Sequence, residues 1–160
     1  MKLKILIGAA VAVVLGVSAF VVAGGGEKVD QAYWDKIRGT EQYYEKSEVL
    51  TAPTPYGEKD LMVNLVDKKI VVFSFDIQYR LGGEWMETPE LATLALEAKA
   101  AEIRSRIIIM FTSRKSTDFS GAGLEGLMLE IISMMNDLAF PKGMARIETM
   151  VIKNLVLQGS

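Results

Sequence analysis

The longest apolar run of the chain covers residues 5–23 and contains no charged side chain. As a helix it would measure about 28 Å, close to the roughly 30 Å hydrocarbon thickness of a bilayer, so it predicts one transmembrane span. Lys2 and Lys4 precede the run, whereas the segment after it mixes acidic and basic residues. This charge asymmetry predicts a cytoplasmic tail of residues 1–4 and an extracytoplasmic location for the rest of the chain.

A cleaved secretory signal is the alternative interpretation of this run, because Val21 and Ala23 are compatible with cleavage ahead of Gly24. The run is longer than the apolar region of about 7–15 residues that is typical of signal peptides. It also ends in bulky side chains. Both features favour a retained signal anchor.

Within the predicted span, Gly8, Ala12 and Gly16 are four residues apart and share one helix face. Small residues at this spacing let a second helix approach closely, which would make the face a site of helix packing in the membrane. Glycine is also common in transmembrane helices in general. The sequence leaves both interpretations open.

Residues 24–50 are interpreted as a tether, and their sequence is compatible with helix on either side of Gly39. Three glycines at 24–26 predict a flexible exit from the membrane. The charged stretch that follows contains Tyr33, Trp34, Tyr43 and Tyr44. All four are candidates for contact with a partner protein or a second copy of the chain. For Tyr33 and Trp34 the alternative is a position at the level of the lipid headgroups.

From residue 51 onward the pattern predicts one folded domain, residues 51–160. Pro53 and Pro55 mark its beginning, because proline disfavours helix at and before its own position. Residues 61–66 form a short apolar run that is expected to be a strand. Residues 71–81 alternate between apolar and polar side chains, which is typical of an antiparallel strand with one solvated face.

The second half of the domain shows helical spacing followed by a strand pattern. Thr88, Pro89 and Glu90 form a typical helix start. The helix is expected to continue through residues 107–111, although that apolar run is also compatible with a buried strand. A second amphipathic helix is predicted at 124–138 and a closing strand at 145–158. The order strand, strand, helix, helix, strand predicts an α+β domain with its helices on one face of a small sheet.

Composition and charge exclude several classes of function. The net charge is −2 and the pI about 5.3, with dispersed basic residues, so no nucleic-acid partner is expected. The chain has no cysteine and no histidine. Disulfides, thiol nucleophiles, imidazole bases and the commonest transition-metal ligands are therefore absent. We expect no catalytic residues, no metal site, no cofactor and no small-molecule substrate.

Two polar features are candidate binding sites. The loop at 120–123 precedes a helix whose N–H groups could hold an anion, but it lacks the lysine and the spacing of phosphate-binding loops and is better interpreted as a cap. Arg104 and Arg106 are compatible with an acidic partner, or with an ordinary solvated helix face.

Several short stretches stand in an order that resembles one known family. They are residues 62–65, residues 102–106 ahead of the apolar 107–111, Gly123 with Leu127, Glu130 with Ile131, Asn136, and residues 155–158. Together with the N-terminal span they resemble the flagellar basal-body-associated FliL family over about residues 50–158. Structural roles are implied for the matching positions Asn64, Leu65, Ile103, Gly123, Leu127, Asn136 and Gln158.

The resemblance implies an inner-membrane protein whose periplasmic domain is similar to the stomatin (SPFH) fold. It implies a homo-oligomeric ring around the flagellar stator proteins, which supports torque, motility and swarming without enzymatic activity. Two alternatives stay open. One is a stomatin-like scaffold of another envelope complex, and the other is a secreted binding domain released by signal cleavage.

Overall fold

An antiparallel sheet backed by two long helices organises the part of the chain that the computed structural model describes, namely residues 31–56, 59–85 and 88–159. The compact unit begins at Ile37, and residues up to Lys36 belong to a separate unit. The elements in chain order are α1 (Gln31–Ile37), α2 (Glu41–Tyr44), β1 (Leu50–Pro53), β2 (Leu61–Asn64), β3 (Ile70–Leu81), α3 (Pro89–Thr112), α4 (Gly121–Ala139) and β4 (Ala145–Gln158), with 3₁₀ turns at Gly83–Trp85 and Ser116–Phe119.

Strand β3 is the centre of the sheet, and all its neighbours are antiparallel to it. The 14-residue β4 pairs along its whole length. The short β1 and β2 share its other edge, because β1 pairs with the end of β3 and β2 with its beginning. The apolar face that the alternation predicted, from Val71 to Leu81, is buried at every second residue. The predicted antiparallel strand is confirmed.

The first long helix, α3, begins at Pro89 as the sequence predicted and runs for 24 residues. The apolar run at 107–111 is helical, which confirms the helix over the strand interpretation. The second long helix, α4, begins at Gly121, earlier than its apolar period suggested. A β-carbon on Gly123 would lie 2.9 Å from the carbonyl oxygen of Asp118, so the chain can turn into α4 here only without a side chain.

Aromatic side chains connect the sheet to the helices. The ring of Phe73 on β3 lies 5.5 Å from that of Phe75 and 5.3 Å from that of Phe111 on α3. Phe111 in turn contacts Phe119 edge-to-face at 5.0 Å. All four side chains are buried, and Ile131 and Met135 of α4 belong to the same core. The helices therefore pack on one face of the sheet, as expected for an α+β domain.

One strand adds to the predicted order, since β1 covers residues 50–53 and crosses the predicted boundary between tether and domain. Helices α1 and α2 lie in the predicted tether on either side of Gly39, where the sequence is compatible with helix. The compact unit starts at Ile37, well before the boundary at residue 51 that the prolines suggested. Among the helices of the described ranges, none is both long and apolar enough to cross a bilayer. The predicted span at 5–23 and its Gly8, Ala12 and Gly16 face lie outside the described residues.

A carboxylate fastens the turn between β2 and β3 to the loop after α3. The Oδ2 atom of Asp67 accepts hydrogen bonds from the backbone N–H of Ser116 at 3.0 Å and from its hydroxyl at 2.6 Å. The hydroxyl first, and the N–H second, hold the pKa of Asp67 below its ordinary value of 3.8. Asp67 therefore favours the folded state above pH 3.8, and this contribution is lost as the pH falls through the lower pKa of the folded protein.

We expect Asp67→Asn to reduce the steepness with which the protein loses stability in acid. The stability difference between wild type and variant should be constant at neutral pH and should shrink below about pH 4. Urea unfolding at a series of pH values measures it. A difference that stays constant into strong acid would contradict the assignment.

Candidate functional site

Residues 37–47, the docked segment, lead into the domain and are held against one end of the sheet. Tyr43 and Tyr44 of α2 are only 1% and 3% exposed, and their rings contact each other edge-to-face at 5.0 Å. The Tyr44 hydroxyl donates to the carbonyl oxygen of Gly143, 3.1 Å away, in the loop before β4. Burial raises the pKa of both hydroxyls, so both tyrosines are neutral.

An ionic cluster fixes the same segment from the sheet side. Arg146 on β4 donates to both carboxylate oxygens of Glu41 at 2.9 Å and to Glu148 at 2.9 Å. Its guanidinium carbon lies 4.4 Å from the ring centroid of Tyr44. The hydrogen bond from Arg146 lowers the pKa of Glu41, and Glu41 in turn raises the pKa of Arg146. A bidentate pair with a stacked aromatic ring fixes geometry better than a single surface ion pair.

The register of the sheet explains why the cluster needs acidic partners. Arg80 on β3 stands directly opposite Arg146 on β4, and like charges in facing positions repel. Glu148 lies between them, accepting from Arg80 Nε at 3.0 Å and from Arg146. Arg80 also donates to the backbone carbonyl of Ser47, at the end of the docked segment. The two arginines thus attach the start of α2 and the end of the docked segment to the sheet.

A surface cleft of about 290 Å³ lies over this cluster. Four of its charged side chains, Glu41, Arg80, Arg146 and Glu148, already pair with one another or with the backbone, which favours an anchoring role over ligand binding. The lining residues are Glu41, Tyr44, Glu45, Arg80, Arg146 and Glu148. Across the described ranges, no group of three or more acidic, histidine or cysteine side chains is placed to hold a metal ion.

The aromatic residues expected to contact a partner fall into two groups. Tyr43 and Tyr44 pack inside the domain and are 1% and 3% exposed, so their rings offer no free surface to a partner. Tyr33 is 43% exposed, and its ring lies 5.3 Å from that of Trp34. Only this second pair keeps the exposure that the partner hypothesis requires.

The two arginines proposed for an acidic partner both lie exposed on α3. Arg106 is paired with Glu102 of the same helix at 3.0 Å, as expected for a solvated face. Within the described residues Arg104 has no ion pair. The two positions are therefore not equivalent.

The positions carried by the family resemblance have identifiable structural surroundings. Leu65, Ile103 and Leu127 are buried. Asn64 ends β2 and pairs with Ile70 at the beginning of β3, and Gln158 pairs with the same residue from the end of β4. The side chain of Asn136 forms two hydrogen bonds with the backbone of β4.

Sequence reasoning missed the docked segment as a site. Glu41 and Arg146 are 105 residues apart in sequence, and each looks like an ordinary surface charge. The available signal was the pair of adjacent tyrosines, since large aromatic side chains commonly contribute to core packing.

Replacement of Arg146 by lysine tests the anchoring role. Lysine keeps the charge but loses the bidentate geometry and most of the contact with Tyr44, so we expect a loss of about 1 kcal/mol in unfolding free energy. Urea denaturation measures this loss. Lys153→Arg, at an exposed position of the same strand, is the control and should leave stability unchanged. Equal stability of Arg146→Lys and wild type would contradict the anchoring role.

Comparison with known proteins adds one match. No curated protein sequence matches the chain significantly. The family model described as flagellar basal body-associated protein FliL matches residues 57–158, which begin after the docked segment and end with β4. Since this match covers well over half of the chain, the protein belongs to the FliL family of flagellar basal body-associated proteins.

Proposed function

We propose that this protein is a non-enzymatic scaffold that is anchored in the bacterial inner membrane and surrounds the flagellar stator with a periplasmic ring. Residues 5–23 are its single membrane span, and the domain after them has a stomatin-like (SPFH-like) fold. The ring supports motor torque, motility and swarming. The family match over residues 57–158 carries this proposal.

The docked segment supports a scaffold role on physical grounds. A scaffold acts on a neighbour only if its domain is held at a defined place, and a chain that entered the domain loosely would transmit little force. Here Arg146 and Arg80 attach residues 37–47 to the sheet. Residues 24–36 are then left to set the spacing between the membrane and the domain.

Exposed apolar side chains supply surface for assembly. On the sheet face away from the helices, Met62 and Val156 flank Val72 in register, and they are 65% and 42% exposed. Apolar surface of this kind is common at protein contacts. Tyr33 and Trp34 are proposed to contact the partner or the next copy.

The scaffold would act by binding one state of its neighbour more tightly than another. A stator linker that alternates between a closed and an ion-conducting arrangement would shift towards whichever state the ring prefers. A tenfold preference corresponds to about 1.4 kcal/mol. No chemical step by the scaffold is required.

Gene deletion with complementation tests the proposal. Loss of the protein should lower stator occupancy, torque under load and swarming, and the wild-type chain should restore all three. The full-length protein should co-purify with stator proteins. Recovery of other envelope proteins without stator proteins would indicate the stomatin-like scaffold of another complex. A mature protein that begins after Ala23 and is absent from membranes would indicate a secreted binding domain.

A second arm tests the membrane face. If Gly8, Ala12 and Gly16 pack against neighbouring helices, Gly8→Leu with Gly16→Leu should impair motility while the protein still inserts. Leucine at two positions on the opposite face is the matched control. Normal motility of the Gly8/Gly16 variant would remove the packing role and leave the anchor intact.

A further inference from the structure

Helix α3 has an uncharged stripe on the side that faces away from the core. Its buried side is formed by residues such as Ala92, Ile103 and Ile107. At about 100° per residue, the opposite side carries another line of residues, all of them exposed. We call it the outer stripe: Leu91, Leu94, Ala98, Ala101, Ser105 and Ile109.

The composition of the outer stripe is unusual for a solvated surface. Leu94 and Ile109, near its two ends, are 59% and 65% exposed, whereas the middle is made of small residues. A solvated helix face normally concentrates the charged residues of the helix. Here the charges stand on the two flanks, and the spacing of three and four residues from Leu91 to Ser105 is that of a helix–helix seam.

The two flanks differ in how their charges are used. On one flank, Glu102 is paired with Lys99 at 3.1 Å and with Arg106 at 3.0 Å, all within the helix. On the other flank stand Glu97 and Arg104, both exposed. Within the described ranges neither has an ion-pair partner. One acidic and one basic group therefore stand seven residues apart beside an apolar line.

We propose that the outer stripe is a contact between two copies of this chain, whose α3 helices pack against each other antiparallel about a two-fold axis between Ala98 and Ala101. In this register Ala98 faces the partner's Ala101, and Leu94 faces the partner's Ser105. The small residues let the helices approach closely at the centre. Leu94 then has room to insert beside Ser105.

Charge complementarity selects this arrangement. With antiparallel helices in that register, Glu97 of each copy lies beside the partner's Arg104, and symmetry forms the pair twice. With parallel helices in register, Glu97 would lie beside the partner's Glu102 instead, and the like charges would repel. The contact is independent of any role at the stator and differs from the head-to-tail contacts that close a ring.

Cysteine cross-linking in the full-length chain detects the pair directly. The chain has no cysteine of its own. Ala98→Cys with Ala101→Cys in one chain should give a band of twice the mass when membranes are oxidised. Ser133→Cys with Asp137→Cys, at exposed positions of α4, is the matched control. Close contact raises the effective concentration of the reacting cysteines to about the millimolar range. The control lacks this contact, so its dimer yield should be at most about a tenth of that of the α3 variant.

Charge reversal then separates a specific pair from random collision. In the cross-linking chain, Glu97→Arg alone and Arg104→Glu alone should each reduce the dimer about tenfold, because two like-charge contacts replace two ion pairs. The two variants co-expressed with different tags should recover the dimer, now containing one of each. Glu125→Arg on α4 is the control and should change nothing.

Any of three results would overturn the proposal. The first is a dimer yield no higher than that of the α4 control. The second is a dimer yield that neither charge reversal lowers, and the third is a lowered yield that co-expression of the two variants fails to restore. Failure of the ring or of stator association would leave the cross-link unchanged, so the two proposals fail separately.

Discussion

Gly82→Ala should destabilise the folded protein by about 2–3 kcal/mol, because the site has no room for a methyl group. A β-carbon built on Gly82 would lie 2.1 Å from Cε1 of Tyr43 and 2.7 Å from the carbonyl oxygen of Gly143. One obstacle is a buried aromatic ring and the other is backbone, so neither can move cheaply. We expect the docked segment to detach first, and urea unfolding with limited proteolysis near residue 43 measures both effects.

The control for this prediction is a glycine with open surroundings. Gly126, inside α4, has no heavy atom within 4 Å of the position that a β-carbon would occupy. Gly126→Ala should therefore stabilise the protein by about 0.5–1 kcal/mol through helix propensity. Gly82→Ala should also cost less in a Tyr43→Ala background, since one of its two obstacles is removed. Equal effects of the two glycine substitutions would show that the close contact is not what constrains Gly82.

The elements with a strong repeating pattern were predictable from the sequence. The alternation along β3 has only one structural interpretation, since its apolar residues must share a face. Helix α3 was recognisable from Pro89 and its alanine- and glutamate-rich first half. The early start of α4 was missed because Gly121 and Gly123 are poor helix formers. Gly123 is required by the close approach of the Asp118 carbonyl oxygen, and Gly121 adopts a positive φ of 52° that other residues disfavour.

The docked segment could not be predicted from local patterns. Its anchoring depends on Arg80 and Arg146 meeting across the sheet, and this register exists only after the strands pair. In sequence, Arg146 and Glu148 resemble the polar face of an edge strand. The same limit applies to the outer stripe, because the spacing of Leu91, Leu94 and Ala98 is compatible with a side that faces the core as well as with an exposed side. Only the burial of the opposite side shows that they face away from the core.

A second substitution that we expect to destabilise the protein strongly lies at the free edge of β4. Among the described strands, β4 pairs with β3 alone, so its other backbone edge is open to pairing with another strand. Near the start of β4, the side chain of Asn136 on α4 occupies the place that a neighbouring strand would take. Its Nδ2 donates to the carbonyl oxygen of Ile147 at 3.0 Å, and its Oδ1 accepts from the N–H of Ile147 at 2.8 Å. One side-chain amide thus replaces a neighbouring strand.

We expect Asn136→Ala to destabilise the protein by about 2–3 kcal/mol, because Ile147 is 1% exposed and its backbone groups would lose both partners. Asn154→Ala is the control. The Asn154 amide donates to the exposed Asp60 at 2.7 Å, and the loss of unfolding free energy should stay below about 1 kcal/mol.

Asn136→Asp keeps an acceptor for the N–H of Ile147 but sets a carboxylate against the carbonyl oxygen of Ile147. It should therefore be no more stable than the alanine variant at neutral pH and should recover in acid, where the protonated carboxyl can donate. Urea unfolding at pH 7 and pH 4 measures all three variants, and a stable, pH-insensitive Asn136→Asp protein would refute the paired amide contact.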